Sequence, residues 1–162
     1  MKFTINRPSK LSNRDKEDTT VSEAISTIYK SDEDWMLTIH WLEYELLLDG
    51  IMIGDIYNDL VKMLKSIQAN ERAFTVFFLD SGFTAAWNIE VENDQLAIDA
   101  RWTTVTSKDP QTCEKLRELA VLRLQKSDFI DNWNRLLSIV KEDLLASGYS
   151  NQLKGFEYLD SL

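Results

Sequence analysis

The chain has 162 residues, the span of one domain, and can bury about two thirds of its unfolded surface without disulfides or a structural metal. Hydrophobic residues make up 44% and charged residues 28%, as in soluble globular proteins, and five Gly with two Pro exclude a collagen-like or linker-dominated chain. The formal charge of -9, from 18 basic and 27 acidic residues, argues against a grip on nucleic acid through phosphate neutralisation and suits a basic partner.

Residues 1–19 are polar and charged and are expected as a weakly ordered arm, with Lys2–Asn6 able to add a short edge strand. Thr20-Val21-Ser22-Glu23 has capping-box form, and Val21, Ala24, Ile25, Ile28 and Tyr29 follow at helical spacing, so a short helix is expected over 21–30. Ser31–Asp34 then break it. Trp35 to Leu48 reads as one extended stretch whose more apolar face changes near Leu42, which implies a bulge or a strand covered on both sides. Asp49-Gly50 reads as a turn, and Ile51–Ile53 as a short returning strand. Ile56, Leu60, Val61, Leu64 and Ile67 form a helical stripe through Gln68.

Ala73–Leu79 is aromatic and β-branched, and Asp80-Ser81-Gly82 turns the chain. Phe83 to Val91 and Leu96 to Trp102 alternate apolar and polar residues across a turn at Asn93-Asp94. The three runs predict an antiparallel meander with one buried face. Pro110 marks a short helix over 111–118 with Asp109 as its cap. Leu119–Gln125 fits either a helix or a strand by its spacing, and the strand is preferred. Ser127 is expected to cap a long helix carrying Phe129, Trp133, Leu136, Leu137, Val140, Leu144 and Leu145, which Gly148 closes. Residues 149–162 form a tail whose Phe156, Tyr158, Leu159 and Leu162 could dock. The expected architecture is a single α+β domain over 20–148, with a mainly antiparallel sheet of five or six strands packed by helices on one side.

Cys113 and His40 are each the sole residue of their type, which excludes an intramolecular disulfide and any zinc site of three or four Cys/His ligands from one chain. A lone Cys fits a reducing compartment. The opening MKFTINRPSKLSNR lacks the apolar stretch of a signal peptide, and no run of about 18 apolar residues follows. The expected location is the cytoplasm.

The survey for chemistry finds no G-x-G-x-x-G, no phosphate loop, no G-x-S-x-G elbow and no H-E-x-x-H. Glycines 50, 54, 82, 148 and 155 each have a turn or helix-end explanation. His40, between Ile39 and Trp41, reads as a structural histidine, and Cys113 as a thiol near a helix start. Glu43 and Glu45 share a strand face in this reading, and Asp55 and Asp59 a helix face; either pair could bind a cation or do acid–base work, but an exposed acidic surface explains both. Trp87 and Trp102 fall on the apolar face of the meander, while Trp35 or Trp41 could meet an interface. No cofactor, metal or catalytic residue is expected.

The charge is concentrated. Residues 1–20 sum to +2, residues 21–110 to −10 and residues 111–162 to −1. Two segments, Tyr44–Gly50 running into Asp55–Leu60, and Leu122–Trp133 before the last long helix, resemble in their order of elements the small cytoplasmic immunity proteins of bacterial toxin systems, including contact-dependent growth inhibition. The resemblance covers roughly residues 35–147. It implies a protein without catalysis that binds one cognate toxin domain, often a basic nuclease. An acidic surface speeds such an encounter. Asp49, Asp55, Asp59, Glu90, Glu92, Asp94 and Asp99 are the residues expected to supply it. A non-catalytic adaptor with another partner, and a small-ligand domain or hydrolase, are the other classes the composition allows.

Overall fold

The computed structural model describes residues 1–29, 36–119 and 121–162. In chain order these form β1 (Lys2–Ile5), α1 (Val21–Ile28), β2 (Leu37–Trp41), β3 (Tyr44–Leu48), α2 (Gly50–Gln68), β4 (Ala73–Asp80), β5 (Phe83–Glu92), β6 (Gln95–Val105), α3 (Thr112–Arg117), β7 (Leu122–Gln125), α4 (Lys126–Ala146) and α5 (Glu157–Asp160). The class is α+β. The expectation of one sheet of five or six strands is corrected: among the described residues there are two antiparallel sheets, ordered β1-β2-β3 and β4-β5-β6-β7. A backbone bond from the Leu47 N–H to the Thr106 carbonyl, 2.8 Å, ties one to the other.

The division arises at Leu42. What reads as one long strand is the hairpin β2–β3, closed by the Trp41–Tyr44 pair around a two-residue turn. Leu42 takes a φ of 54° there and stands half in solvent. Leu carries none of the Asn or Gly signal that marks such turns, and both strands are largely buried, so no alternation betrays the reversal. The part of that expectation resting on Ser31–Asp34 and Trp35 lies outside the described residues, as does Ala120.

The expected strand at Ile51–Ile53 is helix. Asp49 is not a hairpin turn residue but the cap of α2, its Oδ1 accepting the Met52 N–H at 2.8 Å. Gly50 and Gly54 are therefore helical, and their role is close approach. A Cβ on Gly50 would stand 2.1 Å from Tyr29 Cβ, and one on Gly54 2.4 Å from Ser26 Oγ. The Ser22 hydroxyl donates to the Gly54 carbonyl at 2.6 Å, so α1 and α2 cross where neither glycine has a side chain. The capping box on α1 forms as read: Thr20 Oγ1 accepts from the Glu23 N–H, and Glu23 Oε2 accepts from Thr20. These backbone donors hold the Glu23 carboxyl below its usual range.

Two caps are corrected. Gln125, not Ser127, precedes α4, with no side-chain cap bond. Gln111, not Asp109, precedes α3; Asp109 instead accepts from the Gln111 N–H and from Lys115. Leu122–Gln125 is the strand preferred from its alternation, and Gly148 closes α4 at a φ of 91°.

Trp41 packs 5.1 Å from both Trp87 and Trp102, and Phe78 and Phe83 complete the ring cluster under the four-stranded sheet. Trp41 is buried, so it offers no interface. Phe3 of β1 meets Trp133 of α4 edge to face at 4.6 Å. Asp143 of α4, fully buried, accepts from the Tyr29 hydroxyl at 2.7 Å and from Arg7 Nε at 2.7 Å. Burial, then the Asp143 bond, pushes the Tyr29 pKa far above its ordinary value, and Asp143 raises that of Arg7. The segment before α1 is further joined to the tail: Arg14 donates to the Gly148 carbonyl, Tyr149 bonds Asp18, and Lys154 donates to the Thr19 carbonyl. Phe156, Tyr158 and Leu159 dock as expected, while Leu162 stays exposed.

Gly50→Ala should cost about 1–3 kcal/mol in urea unfolding, because the new methyl must displace Tyr29. Leu42→Gly should instead raise stability by roughly 0.5–1 kcal/mol, since glycine adopts the same φ without a Cβ penalty.

Candidate recognition surface

The four-stranded sheet has one packed face and one open face. Along β5, Phe83, Ala85, Trp87, Ile89 and Val91 point inward and are buried, and the residues between them point outward. The register sets the outward residues in rows across the sheet. One row is Phe77, Ala86 and Arg101; the next is Thr75, Asn88 and Asp99; the third is Ala73, Glu90, Ala97 and Arg123. Phe77 is 56% exposed and Leu79 77%, both on the edge strand β4. The Thr75 hydroxyl donates to Asn88 Oδ1 at 2.8 Å. Beyond them Asn88, Glu90, Ala97, Asp99, Val121 and Arg123 line a shallow hollow of about 360 Å³. Among the described residues, Glu90 and Asp99 have no ion pair.

The seven expected acids fall into two groups. Glu90 and Asp99 share the open face, with Glu92 at the end of β5 and Asp94 in the β5–β6 turn, where its carbonyl accepts the Lys126 N–H at 2.8 Å. Asp49 and Asp55 lie by the opposite end of the strands, next to Asp80, and Asp59 sits one turn further along α2. The ten residues of β5 separate the two ends by roughly 30 Å. The carboxylates of the α2 group act on one another. Partial burial, then Asp80 and Asp49, raise the pKa of Asp55; burial raises that of Asp59 against Lys62. Asp80 is buried, and its Oδ1 accepts the N–H groups of Gly82 and Phe83, so it shapes the β4–β5 turn.

The other candidates are structural. His40 Nε2 lies 2.9 Å from Thr4 Oγ1, across the β1–β2 pair. Glu43 stands in the β2–β3 turn and Glu45 on β3, 3.8 Å from His40 Nδ1 and from Lys108, so the two do not share a strand face as expected. Cys113 Sγ lies 3.3 Å from the Thr103 carbonyl, which Arg117 also bonds. No group of three His, Cys, Asp or Glu among the described residues is placed to hold a metal ion, and no helix there is long and apolar enough to cross a membrane. A second hollow, about 510 Å³, lies between the N-terminal arm and the tail, with Arg14, Asp18 and Tyr149 in its lining.

Phe77 and Leu79 are the surface residues that sequence reasoning missed. Their signal was present: Ala73–Leu79 lacks the polar alternation that its partner β5 shows, although β4 also has one face in solvent. Comparison with protein families, with curated proteins and with solved structures finds no match.

A carboxyl whose pKa is raised by folding makes stability fall as pH rises from its unfolded value, about 4, through its folded one. Asp55→Asn should therefore raise stability at pH 7, by about 0.5 kcal/mol at so exposed a position, and leave it unchanged below about pH 4. Urea midpoints taken across this range check it.

Proposed function

We propose that this chain is an immunity protein. It binds one cognate bacterial toxin domain in the cytoplasm, neutralises it by contact and performs no catalysis itself. The observation that supports this most is the open face of the four-stranded sheet. Exposed Phe77 and Leu79 stand toward one end of it, and Glu90 and Asp99, two carboxylates without an ion pair among the described residues, lie one to three rows along the same face, which Arg101 and Arg123 share. Apolar anchors and charged groups on one face are what a protein interface uses: the first for affinity, the second for encounter rate and choice of partner. The rows are backed by the aromatic cluster, so the surface is rigid before binding, which limits the ordering cost. A basic toxin domain, as in a nuclease, matches the acidic residues. The order of elements at Tyr44–Leu60 and Leu122–Trp133 supports the immunity class in particular.

Co-expression with the toxic domain encoded beside this chain's gene should restore growth and yield a stable complex. Reversal of the open-face charges, Glu90→Lys with Asp99→Lys, should slow association about ten-fold at low salt and flatten its salt dependence. Growth arrest despite co-expression would overturn the reading. An unchanged rate and salt slope would remove the acidic face from it.

A further inference from the structure

The register of β4 carries a consequence for how a partner docks. The Val91 N–H donates to the Arg72 carbonyl at 2.9 Å, which makes Arg72 and Val91 a hydrogen-bonded pair in the β4–β5 register. Alternation along the ladder then gives the bonded pairs to Phe78, Val76 and Phe74. It turns the N–H and C=O of Leu79, Phe77, Thr75 and Ala73 away from β5. The two-residue turn between Asp80 and Phe83 has the same phase. The residues whose backbone faces the free edge are thus the ones whose side chains stand on the open face. Between the described residues, no backbone bond joins β4 to any strand but β5.

Edge strands in soluble proteins are commonly blunted by a Lys, a Pro, a bulge or a cover. β4 has neither Lys nor Pro, its eight pairs with β5 run without a register shift, and although α2 packs against it, Ala73, Thr75, Phe77 and Leu79 are exposed. The charge beside it selects what fits. Glu90 is directly opposite Ala73 and has no ion pair among the described residues. Ala73 offers only a methyl group, so a side chain from a strand added outside β4 passes over it. Two strand spacings, about 10 Å, lie within the combined reach of an Arg or Lys and a Glu. A second copy of this chain, itself at -9, is disfavoured by charge.

We propose that β4 is a strand-addition edge: the partner inserts an extended segment against Ala73–Leu79, with apolar side chains facing Phe77 and Leu79 and a basic side chain opposite Ala73, reaching Glu90. This rests on the immunity reading and gives it a mode of contact. Backbone bonds supply sequence-tolerant affinity, and the side-chain rows supply selection.

The test is amide hydrogen exchange of the full chain, free and bound to the adjacent-gene toxic domain carrying an inactivating substitution. On binding, the Thr75, Phe77 and Leu79 amides should slow at least ten-fold, while Val76 and Phe78, already bonded to β5, change little. Thr75→Pro removes an outward N–H and leaves the backbone ladder to β5 intact, while Thr75→Val removes only the hydroxyl bond to Asn88 that both variants lose. The proline variant should bind at least ten-fold more weakly than Thr75→Val, with a urea midpoint close to that of the valine variant. A complex that forms and restores growth while those three amides exchange as in the free chain overturns strand addition and leaves the immunity reading standing. No complex at all overturns both. Concentration-dependent protection of the same amides in the chain alone would assign the edge to a second copy and overturn the proposal.

Discussion

Trp41 carries the three-stranded sheet into the ring cluster of the four-stranded one, and the arrangement of the other layers follows from that contact. Its indole meets Trp87 at a tilt and Trp102 edge to face, each at 5.1 Å. Rings of this size remove roughly 150–250 Å² each from water when buried, so the cluster is a large part of the apolar area available to one domain. With the inner face filled this way and α2 packed against β4, the outward residues of β4 and β5 stay exposed or half-buried among the described residues. An open sheet face is the by-product of where the tryptophans point.

A second constraint is electrostatic. Asp143 is a carboxylate taken wholly out of water, which costs several kcal/mol unless it is paired and hydrogen-bonded. Its partners come from Arg7, before the first helix, and from Tyr29, just after it. The same Tyr29 fills the space that Gly50 leaves open. One buried charge thus fixes the N-terminal arm, α1, α2 and α4 against each other. The basic balance of the first 20 residues acquires a local meaning: Arg7 and Arg14 are both engaged with α4 or its end.

The meander, the strand at Leu122–Gln125 and the stripes of α2 and α4 were legible in the sequence because each has one wet face and one dry face, and the capping box at Thr20 because its Thr and Glu stand three apart. Legibility failed where that contrast is missing. The β2–β3 hairpin is dry on most of both faces and turns at a leucine, so nothing in its pattern announces a reversal. Asp49-Gly50 is ambiguous for another reason: an Asp that accepts a backbone N–H serves a turn or a helix cap equally, and only the packing of Gly50 on Tyr29 decides. In the candidate surface, Glu90, Glu92, Asp94 and Asp99 could be grouped from alternation alone. The 30 Å or so that separates them from Asp49 could not, since it depends on which end of β4 the α2 helix meets.

The Arg7–Asp143 pair spans 136 positions of the chain. At synthesis rates of about 5–20 residues per second, roughly 7–27 s pass between the emergence of the two. During that interval β1 can pair with β2, but the Phe3 contact with Trp133 and the clamp on Tyr29 have no counterpart to close on. The meander, whose pairings are all local hairpins, is complete well before α4 exists. The nascent chain therefore displays its β4 edge before its own ends are joined, and it is α4, the last long helix, that packs Trp133 on Phe3 and closes the arm over the rest.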